Sequence, residues 1–522
     1  MARDVEPLVP DPGAIASTTE VIYLDYAATT PVDPAVVQAM TVCMGPDGDF
    51  GNSGSSTHRF GHRAAARVDK ARAAVAALLS AEPDEIIFTS GATESNNLAI
   101  LGIARANGDR GRHIITSRTE HKAVLDPCKR LEKEGFSVTY LTPDRSGRID
   151  PGALQAALRP DTILVSIMFV NNEIGVVQDI ATIGAICRER GVTFHTDAAQ
   201  AVGKIDVNLG GLPVDILSFT AHKLYGPKGA GALYVRRTTR PLLQPVTFGG
   251  GQERGLRPGT LATHQIVGLG AACALARELQ PSEAIRLTTL RNRLWNGIAG
   301  LGGVHLNGEG AARLPGILNV SFEGVEGESL VVGLEELAIS TGSACNSASA
   351  EPSYVLRALG RDTQLAQSSL RFSVGRFSTE ADVDTAIAAV NREVPRLRAL
   401  SPASGGETAP WPGGPVVRGE AGAAGQDTWI RFHLLVADDV VRDARFQAYG
   451  CPHTVAVAAW MAEALPGRHR EALQPGTPTD WATVHGVPVE KLGRLLVIED
   501  AVQACVRHWP HGRRMVPPQR TP

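Results

Sequence analysis

No stretch of this chain reaches the roughly 20 consecutive apolar residues that a membrane-spanning helix needs. The first residues, MARDVEPLVPDPGAIASTTE, place acids and prolines where an export signal would have a basic start and an apolar run. Basic charge is not in excess either: 51 Lys and Arg against 54 Asp and Glu leave a formal net charge of -3, so no electrostatic footprint points to nucleic acid or an anionic membrane surface. Paired cysteines are missing as well. Cys43, Cys128, Cys187, Cys273, Cys345, Cys451 and Cys505 are scattered without the spacing of a disulfide framework, which predicts a reducing compartment, the cytoplasm. No internal repeat is visible. What these absences leave is a soluble enzyme of 522 residues, long enough for two or three domains at about 150 residues each.

Apolar runs of strand length alternate with helical patterns through the first half of the chain. DEIIFTS precedes ATESNNLAILGIARA, RHIITS precedes HKAVLDPCKRLEKEG, and TILVSIMFV precedes IATIGAICRERG; VTFHTDAA and VDILSFTA follow. Such strands with helices between them predict a mostly parallel sheet covered on both faces, an α/β fold. After an extension over 1–20, this large domain is expected over 21–270. From 271 to 400 long helices with a few strands (GILNVSFEG, SLRFSVG) predict a smaller α+β domain. The Pro/Gly/Ser-rich stretch 401–426 reads as a linker. Beyond it, 427–508 forms a separate module, with WIRFHLLVADDVVRDARFQAYGC alternating like paired strands before two helical patterns, and 509–522 is a tail.

In an open parallel sheet, ligands gather beyond the carboxyl ends of the strands. FTSGATESNN joins a strand to a helix through small residues, and the helix start with Thr93 suits a phosphate, although an ordinary turn would have the same composition. FHTDAAQ carries Asp197 and Gln200, and SFTAHKLYGPKG carries Thr220, His222 and Lys223. A carboxylate and a lysine ending neighbouring strands could form an ion pair. Together with a phosphate turn they are the parts pyridoxal phosphate needs: a lysine to carry its aldehyde, an acid to keep its ring nitrogen protonated, and donors for its phosphate. His121, in SRTEHKA, is a candidate to lie over the ring or an ordinary structural histidine. Cys345 stands alone among glycine, serine and alanine in AISTGSACNSASAEPSY, either a surface thiol or a nucleophile on a tether. Cys43, Cys128, Cys187 and Cys273 sit mostly in helical patterns and read as buried structural thiols.

The motifs YLDYAATTP, FGNSGSSTHRFG, FTSGATESNNLAI, HIITSRTEHKAVLD, NNEIGVVQDI, HTDAAQAVGK, SFTAHKLYGPKGAGALY, GGGQERGLRPGT, TGSACNSAS and SSLRFSVGRF closely resemble those of cysteine desulfurases, the housekeeping type that serves iron-sulfur cluster assembly. The resemblance runs from about residue 21 to 400. It implies the aspartate-aminotransferase-like fold (fold type I) and a homodimer that converts L-cysteine to L-alanine. It places the cofactor on Lys223, its ring nitrogen on Asp197, His121 over the ring, and Asn172 and Gln200 near the phenolic oxygen. Ala92, Thr93, Thr220 and His222 would hold the phosphate, and Thr260 would reach the phosphate of the partner subunit. Arg371 and Asn172 would bind substrate, and Cys345 would take the sulfur as a persulfide, with a possible further role as a ligand to a cluster shared with a scaffold.

The last module resembles the iron-sulfur scaffold domain that accepts such sulfur, most clearly in DARFQAYGC and VEKLGRLLVIEDAVQA. That family binds its metal mainly through three cysteines, and only Cys451 matches; Gly493 and Arg494 stand where the resemblance calls for histidine and cysteine. A cluster would therefore be transient if it forms, unless His433, His453 or His485 rescues the site. The expected partners are a separate scaffold or the fused module, and other sulfur acceptors. Alternatives are a sulfur relay whose main acceptor is the fused module, or a selenocysteine lyase using the same site. Cys345→Ala separates the last of these: a desulfurase loses most of its alanine production from cysteine, whereas a selenium-specific lyase keeps its activity on selenocysteine.

Overall fold

The structure, a computed structural model, describes residues 21–341, 352–402 and 415–510. Strands apolar on both faces hold only where both faces are covered, and the first half of the chain supplies strands and covers in turn. Strand β1 (Ile22–Tyr23) and helices α1 (Pro34–Thr41) and α2 (Arg59–Leu79) lead to β2 (Ile86–Thr89) and α3 (Ala92–Ala106). Then come β3 (His113–Ser117), α4 (Lys122–Lys133), β4 (Ser137–Leu141), α5 (Pro151–Ala157), β5 (Thr162–Ser166), α6 (Ile180–Glu189), β6 (Thr193–Asp197), β7 (Ile216–Thr220) and β8 (Gly231–Val235). The seven strands from β2 to β8 order as β2-β8-β7-β6-β5-β3-β4, parallel throughout except β8, which runs antiparallel to both its neighbours. Every residue of β2, β3, β5, β7 and β8 is buried. Gly231 has a steric reason: a Cβ there would lie 2.6 Å from the Gly91 backbone, so glycine lets β8 press against the turn that opens α3.

Helix α7 (Thr263–Ile298) buries Ile266, Leu269 and Cys273 in the large-domain core and Leu290, Leu294 and Ile298 in the next. That second core is built by β9 (Val304–Leu306), β10 (Ile317–Phe322), α8 (Gly327–Gly333), β11 (Leu337–Ala338), β12 (Ser369–Ser373) and α11 (Glu380–Leu400), while α9 (Tyr354–Ala358) and α10 (Thr363–Gln367) pack in a small separate cluster with Ile174 and Val176. Its sheet is antiparallel, ordered β12-β10-β9. The start of the chain joins this part rather than the seven-stranded sheet: β1 pairs with β11, and Leu24 packs beside Leu318 and Phe372.

The last part contains β13 (Val416–Ala423), β14 (Thr428–Ala437), β15 (Val440–Tyr449), α12 (Pro452–Ala464), α13 (Pro478–His485) and α14 (Leu492–Arg507) around a core that includes Phe432, Met461, Trp481 and Ile498. Asp438 and Asp439, both at positive φ (55° and 60°), make the tight turn that the β14–β15 hairpin needs. Strand β13 lies inside the stretch that composition assigns to a linker. Its small residues answer to packing rather than flexibility, since a Cβ on Gly419 would meet the Ala501 carbonyl at 2.3 Å and the Cys505 sulfur at 2.5 Å. This part rests on the second core: Ser329 Oγ donates to the Gly450 carbonyl at 2.8 Å, and Lys491 Nζ pairs with Glu328 at 2.5 Å. Overpacking of this kind costs about 1–3 kcal/mol. Gly419→Ala is expected to lower the unfolding temperature of the C-terminal module, followed calorimetrically, and to leave the transition of the rest of the chain in place.

Candidate active site

The carboxyl ends of β2, β3, β6 and β7 open on one cavity of about 580 Å³, whose lining includes Ala92, Thr93, His121, Asn172, Asp197, Gln200, Thr220, His222, Lys223 and Arg371. Residues far apart in sequence meet there because a parallel sheet turns all its strand ends to the same edge. Asp197, 5% exposed at the end of β6, accepts from Asn96 Nδ2 at 2.7 Å and from the Ala199 amide at 2.9 Å, one donor on each oxygen. His121 caps α4, its Nδ1 accepting from the Ala123 amide at 3.1 Å. Burial lowers its pKa ahead of the opposing pull of Asp197, so the ring is held neutral. His222 Nδ1 lies 3.1 Å from Thr29 Oγ1, and burial, with Lys223, Lys228 and Lys204 around it, brings its pKa down to about 4.

Arg371 is 3% exposed on β12; it donates to Asp25 Oδ1 and to the Asn172 carbonyl, both at 2.8 Å, and its Nε is buried without a hydrogen-bond partner. Asn172 Oδ1 is likewise buried and unpartnered. Two orphaned polar atoms, one donor and one acceptor, on a cavity that also holds a neutral imidazole, a carboxylate and a lysine form a donor set that fits pyridoxal phosphate and an amino-acid substrate. Ala92 and Thr93 open α3 where it meets the cavity, and Glu94 is anchored by Arg257 at 2.7 Å. Thr260 follows Arg257 closely but is exposed and outside the lining of its own chain's cavity.

Cys345 lies outside the described residues. The residues flanking its segment attach beside the cavity: Ser340 exchanges two backbone hydrogen bonds with Arg371, Ser353 Oγ donates to Glu173, and the Tyr354 hydroxyl donates to the Glu120 carbonyl at 2.7 Å. Glu173 and Glu120 are both buried, which pushes the Glu173 carboxyl up to about 7 and that of Glu120 well above the usual range. Sequence reasoning missed these two acids, Asn96 and Asp25. Asp25 and Asn96 lie inside quoted motifs, but nothing local says that they face Arg371 and Asp197.

In the C-terminal module Cys451 caps α12 with no exposed surface, its sulfur 3.3 Å from Thr454 Oγ1. Burial works against the charge of Arg494 beside it, yet the Cys451 sulfur, Glu326 and Glu328 raise the arginine's pKa. Among the described residues no group of three or more His, Cys, Asp or Glu side chains is placed to hold a metal ion. His433 is buried beside Gln447, and burial lowers its pKa.

This fold and site define a fold type I pyridoxal phosphate enzyme. The family profile described as Aminotransferase class-V matches residues 22–385, and the one described as NifU-like N terminal domain matches residues 412–515. The chain belongs to the class V aminotransferase family and carries a NifU-like domain behind it. It is 60% identical over 381 residues to proteins named cysteine desulfurase IscS from Enterobacter sp. (strain 638) and Klebsiella pneumoniae, covering 73% of this chain and 94% of each relative. Among solved structures, a NifS-like protein superposes with a TM-score of 0.66 at 37% identity, covering 72% of this chain and 99% of the other. SspA in complex with cysteine superposes with a TM-score of 0.61 at 41% identity, covering 68% and 99%.

Removing the charge of Asp197 tests the reading of the site. Asp197→Asn is expected to cut alanine formation from L-cysteine by at least about 100-fold, the scale of one positioned acid-base group, with the protein still folded by circular dichroism.

Proposed function

We propose that this protein is a cytoplasmic, homodimeric cysteine desulfurase that moves the sulfur of L-cysteine onto Cys345, releases L-alanine, and feeds iron-sulfur cluster assembly and other thiolation pathways. The observation that carries this reading is the convergence of Lys223, Asp197, His121 and Arg371 on one cavity. Bound there, pyridoxal phosphate supplies a sink for the electrons left at the substrate's α carbon. Lys223 would hold the cofactor, and its amine, once released, would move the α proton of the substrate. Asp197, its two oxygens fixed by Asn96 and Ala199, would face the cofactor's ring nitrogen. The His121 ring, held neutral by burial, would lie over the cofactor and can take a proton as a base, becoming charged as it does so. Ala92, Thr93, Thr220 and His222 hold the phosphate, and Thr260, turned away from its own cavity, serves the site of the second subunit.

Arg371 takes the substrate carboxylate through its unpartnered Nε, and Asn172 orients the same substrate. The Cys345 thiolate forms a sulfur–sulfur bond to the substrate thiol as the carbon–sulfur bond breaks. The bonding pair stays with carbon, which takes up a proton to give alanine.

The fused module is read here as a docked appendage rather than a free cluster scaffold. Cys451 has no exposed surface, and an arginine stands beside it where a third ligand belongs. Tethering keeps its effective concentration at the docking face high. The test is a single turnover with labelled L-cysteine, followed by persulfide mapping on the intact protein and on Cys451→Ser. Label on Cys345 alone is the expected result. Label passing from Cys345 to Cys451 would make the module a relay instead, and no persulfide at all would overturn the desulfurase mechanism.

A further inference from the structure

Behind Gln200 lies a second, narrow cavity lined by Tyr26, Ala27, Lys204, Tyr225, Gln280 and Glu283 among others. Lys204 Nζ donates from it to Gln200 Oε1 at 2.8 Å, and Gln200 Nε2 donates to the Ala27 carbonyl at 2.8 Å. The Ala27 carbonyl can only accept, so it fixes the amide with Nε2 toward itself and Oε1 toward the donating Lys204. Gln200 is 2% exposed and lines the main cavity as well. With Oε1 turned to Lys204 and one N–H spent on Ala27, its second N–H is what the amide has left to offer there.

We propose that Lys204 is a positioning residue for the cofactor: it locks and polarises the Gln200 amide so that Gln200 presents a donor, not an acceptor, to the phenolic oxygen of pyridoxal phosphate. The inference rests on the reading of the cavity as the cofactor site. Keeping a lysine there is costly. Among the described residues Lys204 has no ion pair with a carboxylate, and the acid nearest in the lining, Glu283, is paired with Arg376 at 2.6 Å. Burial, followed by the like charges of Lys223 and Arg371, lowers the Lys204 pKa to about 7. The Tyr225 hydroxyl is taken by the Arg376 amide. An apolar side chain would fill the space without the desolvation cost, so the charge answers to the amide it faces.

The test uses full-length protein reconstituted with pyridoxal phosphate, comparing wild type, Lys204→Met and Lys204→Gln. The readouts are the pH midpoint of the bound cofactor's visible absorption, the cofactor Kd and the unfolding temperature. Lys204→Met is expected to move the midpoint by about one unit or more and to weaken cofactor binding about tenfold, the scale of one hydrogen bond to a charged group. Lys204→Gln, which keeps an N–H for Oε1, should restore part of both. In a Gln200→Leu background Lys204→Met should move neither further. A lower unfolding temperature with an unmoved midpoint overturns the proposal and leaves Lys204 a structural residue. If Lys204→Met does not fold, an unmoved midpoint in Lys204→Gln overturns it equally. A wild type that binds the cofactor with no visible band sinks the reading of the site itself, and this proposal with it.

Discussion

The guanidinium of Arg371 is the interaction on which the arrangement of this molecule turns. It sits on a strand of the smaller domain, yet it donates to a carbonyl of the large domain and to Asp25 near the start of the chain. Three segments distant in sequence are thereby held at one edge of the cavity. A buried ion pair is weak evidence for net stability, because desolvation offsets most of the attraction, but removing one partner leaves a costly unpaired charge. The geometry of Asn172, Asp25 and the residues flanking the Cys345 segment depends on that pair staying whole.

Around it, burial sorts by protonation both the groups that line the cavity and the acids just outside it. Burial keeps His121 and His222 uncharged and favours the protonated forms of Glu120 and Glu173, while Asp197 is given two donors. The strand ends therefore present a graded set, in which each group's charge is fixed by burial and partner rather than by residue type alone. This explains why a site with several histidines and carboxylates does not collapse into a tangle of salt bridges.

Much of this could be read in the chain beforehand, and the reasons differ by residue. The strands ending at Thr89 and Thr220 are legible because fully buried strands run largely apolar, so that chemistry is conspicuous where the run stops, and β6 is legible from the polar cluster that closes it at Asp197. Lys223, His121 and Asp197 stood out on that account. Asn96 did not: on a helix, a polar residue facing a strand end looks like any other until the helix is packed. Lys204 was hidden for the opposite reason, since an isolated lysine in a loop reads as surface. Strand β13 was lost among glycine and alanine, which mark a flexible connection in composition but serve close packing against α14 here. In the C-terminal module the core is complete although no group of three or more metal-ligating side chains is assembled among the described residues, since core packing and a metal site depend on different residues.

Helix α7 joins the two cores without a break. With 36 residues it is about 54 Å long, and both lobes are bonded to it by their own buried side chains. A beam of this kind has little bending freedom except where its hydrogen bonding is interrupted, and Pro281 interrupts it between the two sets of contacts. Flexure at that residue would change the separation between Lys223 on one lobe and Arg371 on the other more than flexure elsewhere along the helix, so the joint of the beam and the width of the cavity are linked.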